Sequence, residues 1–223
     1  MKRNLLSIVG IFVVPFMMKA QTNLSLVELG GFIGTLNYSG DVATTLNPEA
    51  IVKEVRPMIG IHVKRFFNHH MGMGVEASYG TIFAEDVNHS NPKRGFVVQT
   101  PITQVNAFGE YNFKMFGKYL KNQKWTPFVR VGGGLLIAQP KINEDFTVSF
   151  KTYDVRPTTV QTFNLMLGAG FKFRIGYYHF LSIYGTWHHA FTDNIEGVML
   201  QNNQSDDDVY AGVRIGYSFV LFR

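Results

Sequence analysis

DVYAGVRIGYSFVLFR, Asp208 to Arg223, sets Val209, Ala211, Val213, Ile215, Tyr217, Phe219 and Leu221 on one face of an extended strand. Arg214 and Ser218, spaced by small glycines, fall on the other. Successive strand side chains point to opposite faces, so this is a segment apolar on one side and polar on the other. Its length suffices to cross a bilayer, and the pattern is that of a strand in an outer-membrane β-barrel, apolar toward lipid and polar toward the lumen. Phe222 stands next to last, an aromatic at the end of the final strand.

The same period of two recurs along the chain. Eight segments carry it: Val27 to Tyr38, Glu54 to Phe67, Met71 to Phe83, Phe96 to Tyr111, Trp125 to Ala138, Val160 to Phe173, Leu181 to Phe191 and Asp208 to Phe222. An even number of strands and connections of alternating length predict an all-β fold, an eight-stranded antiparallel up-and-down transmembrane β-barrel. Asn68 to His70 and Arg174 to His179 are short turns. Ser39 to Lys53, Ala84 to Gly95, Gln139 to Thr159 and Thr192 to Asp207 are long and polar. Short turns belong to the periplasmic side and long loops to the outside, which puts both chain ends in the periplasm. Tyr38, Phe66, Phe67, Tyr79, Phe83, Tyr111, Trp125, Tyr177, Tyr178, Trp187 and Phe191 lie near the strand ends and are expected to form the interfacial aromatic girdle. A soluble lipocalin-like barrel would share the alternation with its faces reversed. The N-terminus and the scarcity of charge on the apolar face favour the membrane form.

Lys2 and Arg3 precede an apolar run from Leu5 to Met18, and Ala20 offers a small residue for cleavage. Residues 1–20 therefore read as a secretory signal peptide and 21–223 as a single barrel domain. The run is shorter than the roughly 20 apolar residues of a spanning helix. No cysteine is present, which excludes disulfides, thiolate metal sites and acylation at a cysteine. The net charge of +5 includes Lys2, Arg3 and Lys19; without them 18 basic residues face 16 acidic ones. Such a balance gives no support to nucleic-acid binding.

Projection of the strands places Glu28, His62, Lys64, Glu76, Gln104, Asn106, Glu110, Arg130, Asn164, Lys172, Ser182, Thr186, His188 and Arg214 inside. Eight strands leave an interior just wide enough for side chains to fill. Glu28, Glu76 and Glu110 are then confined with Lys64, Arg130, Lys172 and Arg214, and such charges must pair to offset desolvation. A lumen charge network that plugs the barrel is the expectation, with no diffusion pore.

Catalysis finds little support. His188 and His189 point to opposite faces, and Ser182 lies about 20 Å from His188 at strand rise. Asp193 completes no set with them, and no catalytic group is assigned. His69-His70 and the run Asp206 to Asp208 are better read as solvated turn and loop than as metal sites, and no cofactor is implied. The glycine run Gly132 to Gly134 lies within a strand, where it relieves crowding or allows bending.

The remaining connection, Asn112 to Lys124, carries Lys114, Lys118, Lys121 and Lys124 among Phe113, Met115, Phe116, Tyr119 and Leu120. One reading is a snorkelling, aromatic-belted turn at the membrane surface. The other is a periplasmic docking element, with the four lysines making charged contacts and Phe116 and Tyr119 as apolar anchors.

Several segments taken in order carry a family resemblance. These are Gly34-Thr35-Leu36-Asn37-Tyr38-Ser39-Gly40-Asp41-Val42, Arg56-Pro57, Lys124-Trp125-Thr126-Pro127-Phe128-Val129, His189-Ala190-Phe191-Thr192-Asp193 and Asp208-Val209-Tyr210-Ala211-Gly212-Val213. Together they resemble the PorG-like outer-membrane barrels. The resemblance implies a non-catalytic barrel in the cell outer membrane, associated with the type IX protein secretion system. Its partners would be outer-membrane lipids and the lipoprotein and partner subunits of a periplasmic ring. The alternative is a small surface barrel that binds ligands or surfaces, as in adhesion, through its long external loops.

Overall fold

The computed structural model describes residues 26–39, 48–89, 97–116, 123–142, 153–155, 158–192, 194–195, 197–200 and 207–222. The expected signal peptide and Lys118, Tyr119 and Lys121 lie outside these residues. The strands are β1 Leu26–Ser39, β2 Arg56–Phe66, β3 Met71–Glu85, β4 Val97–Asn112, β5 Trp125–Ala138, β6 Lys141–Ile142, β7 Tyr153–Val155, β8 Val160–Arg174, β9 His179–Ala190, β10 Val198–Leu200 and β11 Val209–Phe222.

Eight of them, β1 to β5 with β8, β9 and β11, form one closed antiparallel barrel. Each pairs with its neighbour in the chain, and β1 pairs with β11 to close the ring. Closure matters because a bilayer core offers no partner to a free strand edge. No helix among the described residues is long and apolar enough to cross a membrane. The barrel strands, of 11 to 16 residues, reach or exceed the roughly 9–11 that a tilted transmembrane strand requires.

The alternation sorts the side chains as the sequence pattern requires. Along β3, Met71, Met73, Val75 and Tyr79 are exposed while Glu76, Ser78 and Ile82 are buried. Ile33, Ile61, Val131, Leu135, Phe163 and Val213, from five strands, are all more than half exposed and lie on the outer wall. In water so continuous an apolar surface would be an association site; lipid tails satisfy it.

The closing seam departs from regular pairing at one place. The β1–β11 ladder lapses between Gly34↔Arg214 and Asn37↔Ala211, where the Thr35 hydroxyl accepts the Val213 amide at 3.2 Å. Gly212 permits this approach, since a Cβ there would stand 1.7 Å from the Thr35 carbonyl oxygen. Gly134 in the glycine run plays the same part, its Cβ position lying 1.9 Å from the Val105 oxygen.

Two expectations are corrected. Glu54 does not open the second strand: it ends a short helix, Pro48–Glu54, and β2 begins at Arg56. Its carboxylate accepts hydrogen bonds from the Glu85 amide, Asn88 and His89 at 2.9 to 3.1 Å, clasping two external loops together. Tyr38 and Phe66 are not girdle residues. They share parity with Leu36 and Lys64, so they turn inward and are buried, because an offset of one residue exchanges the faces of a strand. The loop after β5 carries short strands of its own. β6 pairs with β4 through Gln99↔Lys141, and β7 pairs with β10 in a two-stranded sheet.

Candidate functional site

The lumen is the most organised part of the molecule. All fourteen polar residues projected inward are buried there. Three carboxylates and four cations alternate along a continuous ladder. At the end nearer the short turns, Glu28 meets Lys64 at 3.0 Å, Lys172 at 3.4 Å and His62 at 3.3 Å. Glu110 takes Lys172 and Arg130 at 2.8 Å each and also pairs with Lys64. Arg130 reaches on to Glu76 at 3.3 Å, and Glu76 is held from its other side by Arg214 at 3.0 Å. Every carboxylate thus has at least two cationic neighbours, which offsets a desolvation cost of several kcal/mol per buried ion.

The ladder continues without charge. Arg214 donates to His188 Nε2 at 2.9 Å, since a guanidinium can only donate. Nδ1 faces the Asn164 amide at 3.2 Å. Asn164 and the Tyr210 hydroxyl both donate to Gln104, at 3.1 and 2.8 Å, and the Tyr210 ring stacks on His188 with centroids 4.7 Å apart.

Aromatic faces line the arginines, a feature not foreseen from the sequence. The Arg130 guanidinium lies 4.2 Å from the Phe108 centroid and 4.9 Å from that of Tyr184; Arg214 lies 4.7 Å from Phe32. Such contacts gain strength in a desolvated interior. Parity would have revealed them: Phe32, Phe108 and Tyr184 stand an even number of residues from Glu28, Glu110 and Ser182.

Both ends of the ladder are closed by apolar side chains. Toward the long loops, Leu36, Met58, Ile82, Ile102, Leu136 and Ala138 form a buried cluster. Ile195 comes from the loop after β9 to join it. Its amide donates to Asp208 at 2.8 Å and its carbonyl accepts from Thr100 at 3.0 Å. The Tyr38 hydroxyl donates to the same Asp208 carboxylate. At the turn end, Phe116 packs on Phe180, Val220 and Leu26.

That position of Phe116 corrects one expectation. It is 1% exposed, its ring centroid lies 5.1 Å from that of Phe180, and its amide donates to the His69 carbonyl, so it is a stopper in the barrel mouth and offers no anchor to a partner. Phe116→Ala is expected to cost about 3 kcal/mol, the usual toll for truncating a buried phenylalanine, measurable by denaturant unfolding in micelles. Lys114 lies over the Trp125 ring at 3.4 Å, and Lys124 is exposed at the start of β5.

The histidines and Ser182 assemble no catalytic group. Ser182 donates to the Gly216 carbonyl within the wall, and His189 lies outside with Asp207 at 3.0 Å. Asp193 and Asp206 are outside the described residues. His70 bonds the Asn112 carbonyl at 2.7 Å and stacks on Tyr111, which makes it part of the turn. Among the described residues no group of three His, Asp or Glu is placed to hold a metal ion.

The pattern described as "Domain of unknown function (DUF6089)" matches residues 2–219. The chain belongs to the DUF6089 family. No curated protein matches it in sequence. In solved structures this DUF6089 barrel is similar to Neisserial surface protein A, with a TM-score of 0.51 at 8% identity, covering 87% of this chain and 96% of that one. The attachment invasion locus protein Ail of Yersinia pestis aligns at 13% identity and a TM-score of 0.44, covering 89% and 98%. At such identities the likeness concerns fold alone, and the first of the two carries it: the fold is that of the small outer-membrane barrels.

Proposed function

We propose that this DUF6089 protein is a non-conducting, non-catalytic barrel of the outer membrane that serves as a structural component of the type IX protein secretion system. In this reading it contacts the periplasmic ring of that machine through its turn end. The observation that carries the proposal is the sealed lumen. Among the described residues the interior is filled by paired charge and closed at both ends by apolar side chains, which supports a barrel that passes no solutes and works through its surfaces. The connection between β4 and β5 is the longest at the turn end and the one richest in lysine, and the PorG-like resemblance names the partner. Complementary charge on a ring subunit would speed and orient docking there.

Crosslinking of the tagged barrel in cells, purification from outer membranes and mass spectrometry test this reading. Secretion-ring lipoproteins are expected to be recovered with the wild-type barrel and lost from Lys118→Glu/Lys121→Glu, which should fold normally. Equal recovery from the variant would contradict docking through this connection. Recovery of none, while a control complex is captured, would favour binding through the external loops.

A further inference from the structure

We propose that the turn end of the barrel is a collar for anionic phospholipid headgroups. The charge of this chain is divided along the barrel axis. Thirteen of its 16 acidic residues lie in the long loops or at the strand ends adjoining them, and the other three are the luminal glutamates. The three turns and their flanking strand ends, residues 65–71, 111–127 and 173–180, contain no Asp or Glu, and of their described residues Arg65, Lys114, Lys124 and Arg174 are cationic. Among the described residues, Arg65, Lys114 and Lys124 have no carboxylate partner.

Large apolar side chains accompany these cations. Phe67, Phe113, Met115, Ile175 and Tyr177 are each more than half exposed, and they come from all three turns. A single protein partner would cover one side of the rim. Here the rings come from all three turns and continue the lipid-facing wall, while the cations Arg65, Lys114 and Lys124 stand at the first two; Arg174, at the third, lies over the Phe116 and Phe180 rings of the barrel mouth. Rings that settle at the headgroup level, with ammonium and guanidinium groups reaching phosphate, match the inner boundary of a bilayer. The opposite end, rich in carboxylates, would repel the same lipids. This inference uses the rim and does not depend on the partner proposed for the β4–β5 connection.

The two tryptophans allow the ends to be probed separately, since Trp125 lies in the collar and Trp187 near the long loops. The purified barrel is reconstituted in phosphatidylcholine with a small fraction of brominated phosphatidylglycerol or brominated phosphatidylcholine. In Trp187→Phe, Trp125 fluorescence should be quenched several-fold more effectively by the anionic lipid at low salt. The preference should vanish at high salt and in Arg65→Glu/Lys124→Glu. Trp187, read in Trp125→Phe, should show none. If the reversed pair fails to fold, Arg65→Gln/Lys124→Gln should lose most of the preference. Equal quenching of Trp125 by the two lipids, or a preference unchanged in a folded variant, would overturn the proposal.

Discussion

Glu110→Gln is expected to destabilise the barrel by about 3–5 kcal/mol, the range for breaking a buried ion pair from one side. Glu110 is fully enclosed and touches Lys64, Lys172 and Arg130. Its loss leaves both lysines dependent on Glu28 and Arg130 on Glu76. The cost comes from cations left without compensation, so removing one of them as well should restore part of the stability. Glu110→Gln combined with Lys172→Met should lose less than the sum of the single changes. Lys53→Ala removes an ion pair of similar length, 2.8 Å to Glu49, but that pair is exposed on a loop helix and screened by solvent, so its loss should leave stability essentially unchanged. Denaturant unfolding in micelles or vesicles, followed by tryptophan fluorescence, measures all four. A Glu110→Gln loss below about 1 kcal/mol would mean that water reaches the ladder.

Gly212→Ala is expected to be worse for its size. The added methyl meets backbone, the Thr35 carbonyl, at a distance no relaxed structure tolerates, and it does so on the seam that closes the barrel. The strands must separate, which places the loss above about 4 kcal/mol or prevents closure altogether. Gly185→Ala is the control from the adjoining strand. Its Cβ would come no nearer than 4.0 Å to the Gly212 oxygen and faces the outer wall, so a change within about 0.5 kcal/mol is expected. The shift in gel mobility between folded and heat-unfolded barrel distinguishes the two directly.

Where a side chain faces was legible wherever period two holds. Glu28, Lys64, Glu76, Glu110, Arg130, Lys172 and Arg214 occupy the interior because each stands at the polar parity of its strand, and lipid on the other face penalises a slip in register. Tyr38 and Phe66 lie near strand ends, where girdle rings gather, but their parity turns them inward. Phe116 and Ile195 were out of reach for another reason. They come from connections, where no periodicity applies, and their burial depends on an open barrel mouth that exists only after closure. β6, β7 and β10 are equally non-local, since Lys141 is extended only because Gln99 stands opposite it. How the ladder is wired was also hidden: alternation states that charges share the lumen, while barrel closure determines that Arg130 joins Glu110 to Glu76.

The sealed interior is tested most directly by the ion conductance of the purified barrel in planar bilayers. The wild-type protein should give no steady current above the bare membrane; large, stable single-channel steps would contradict it.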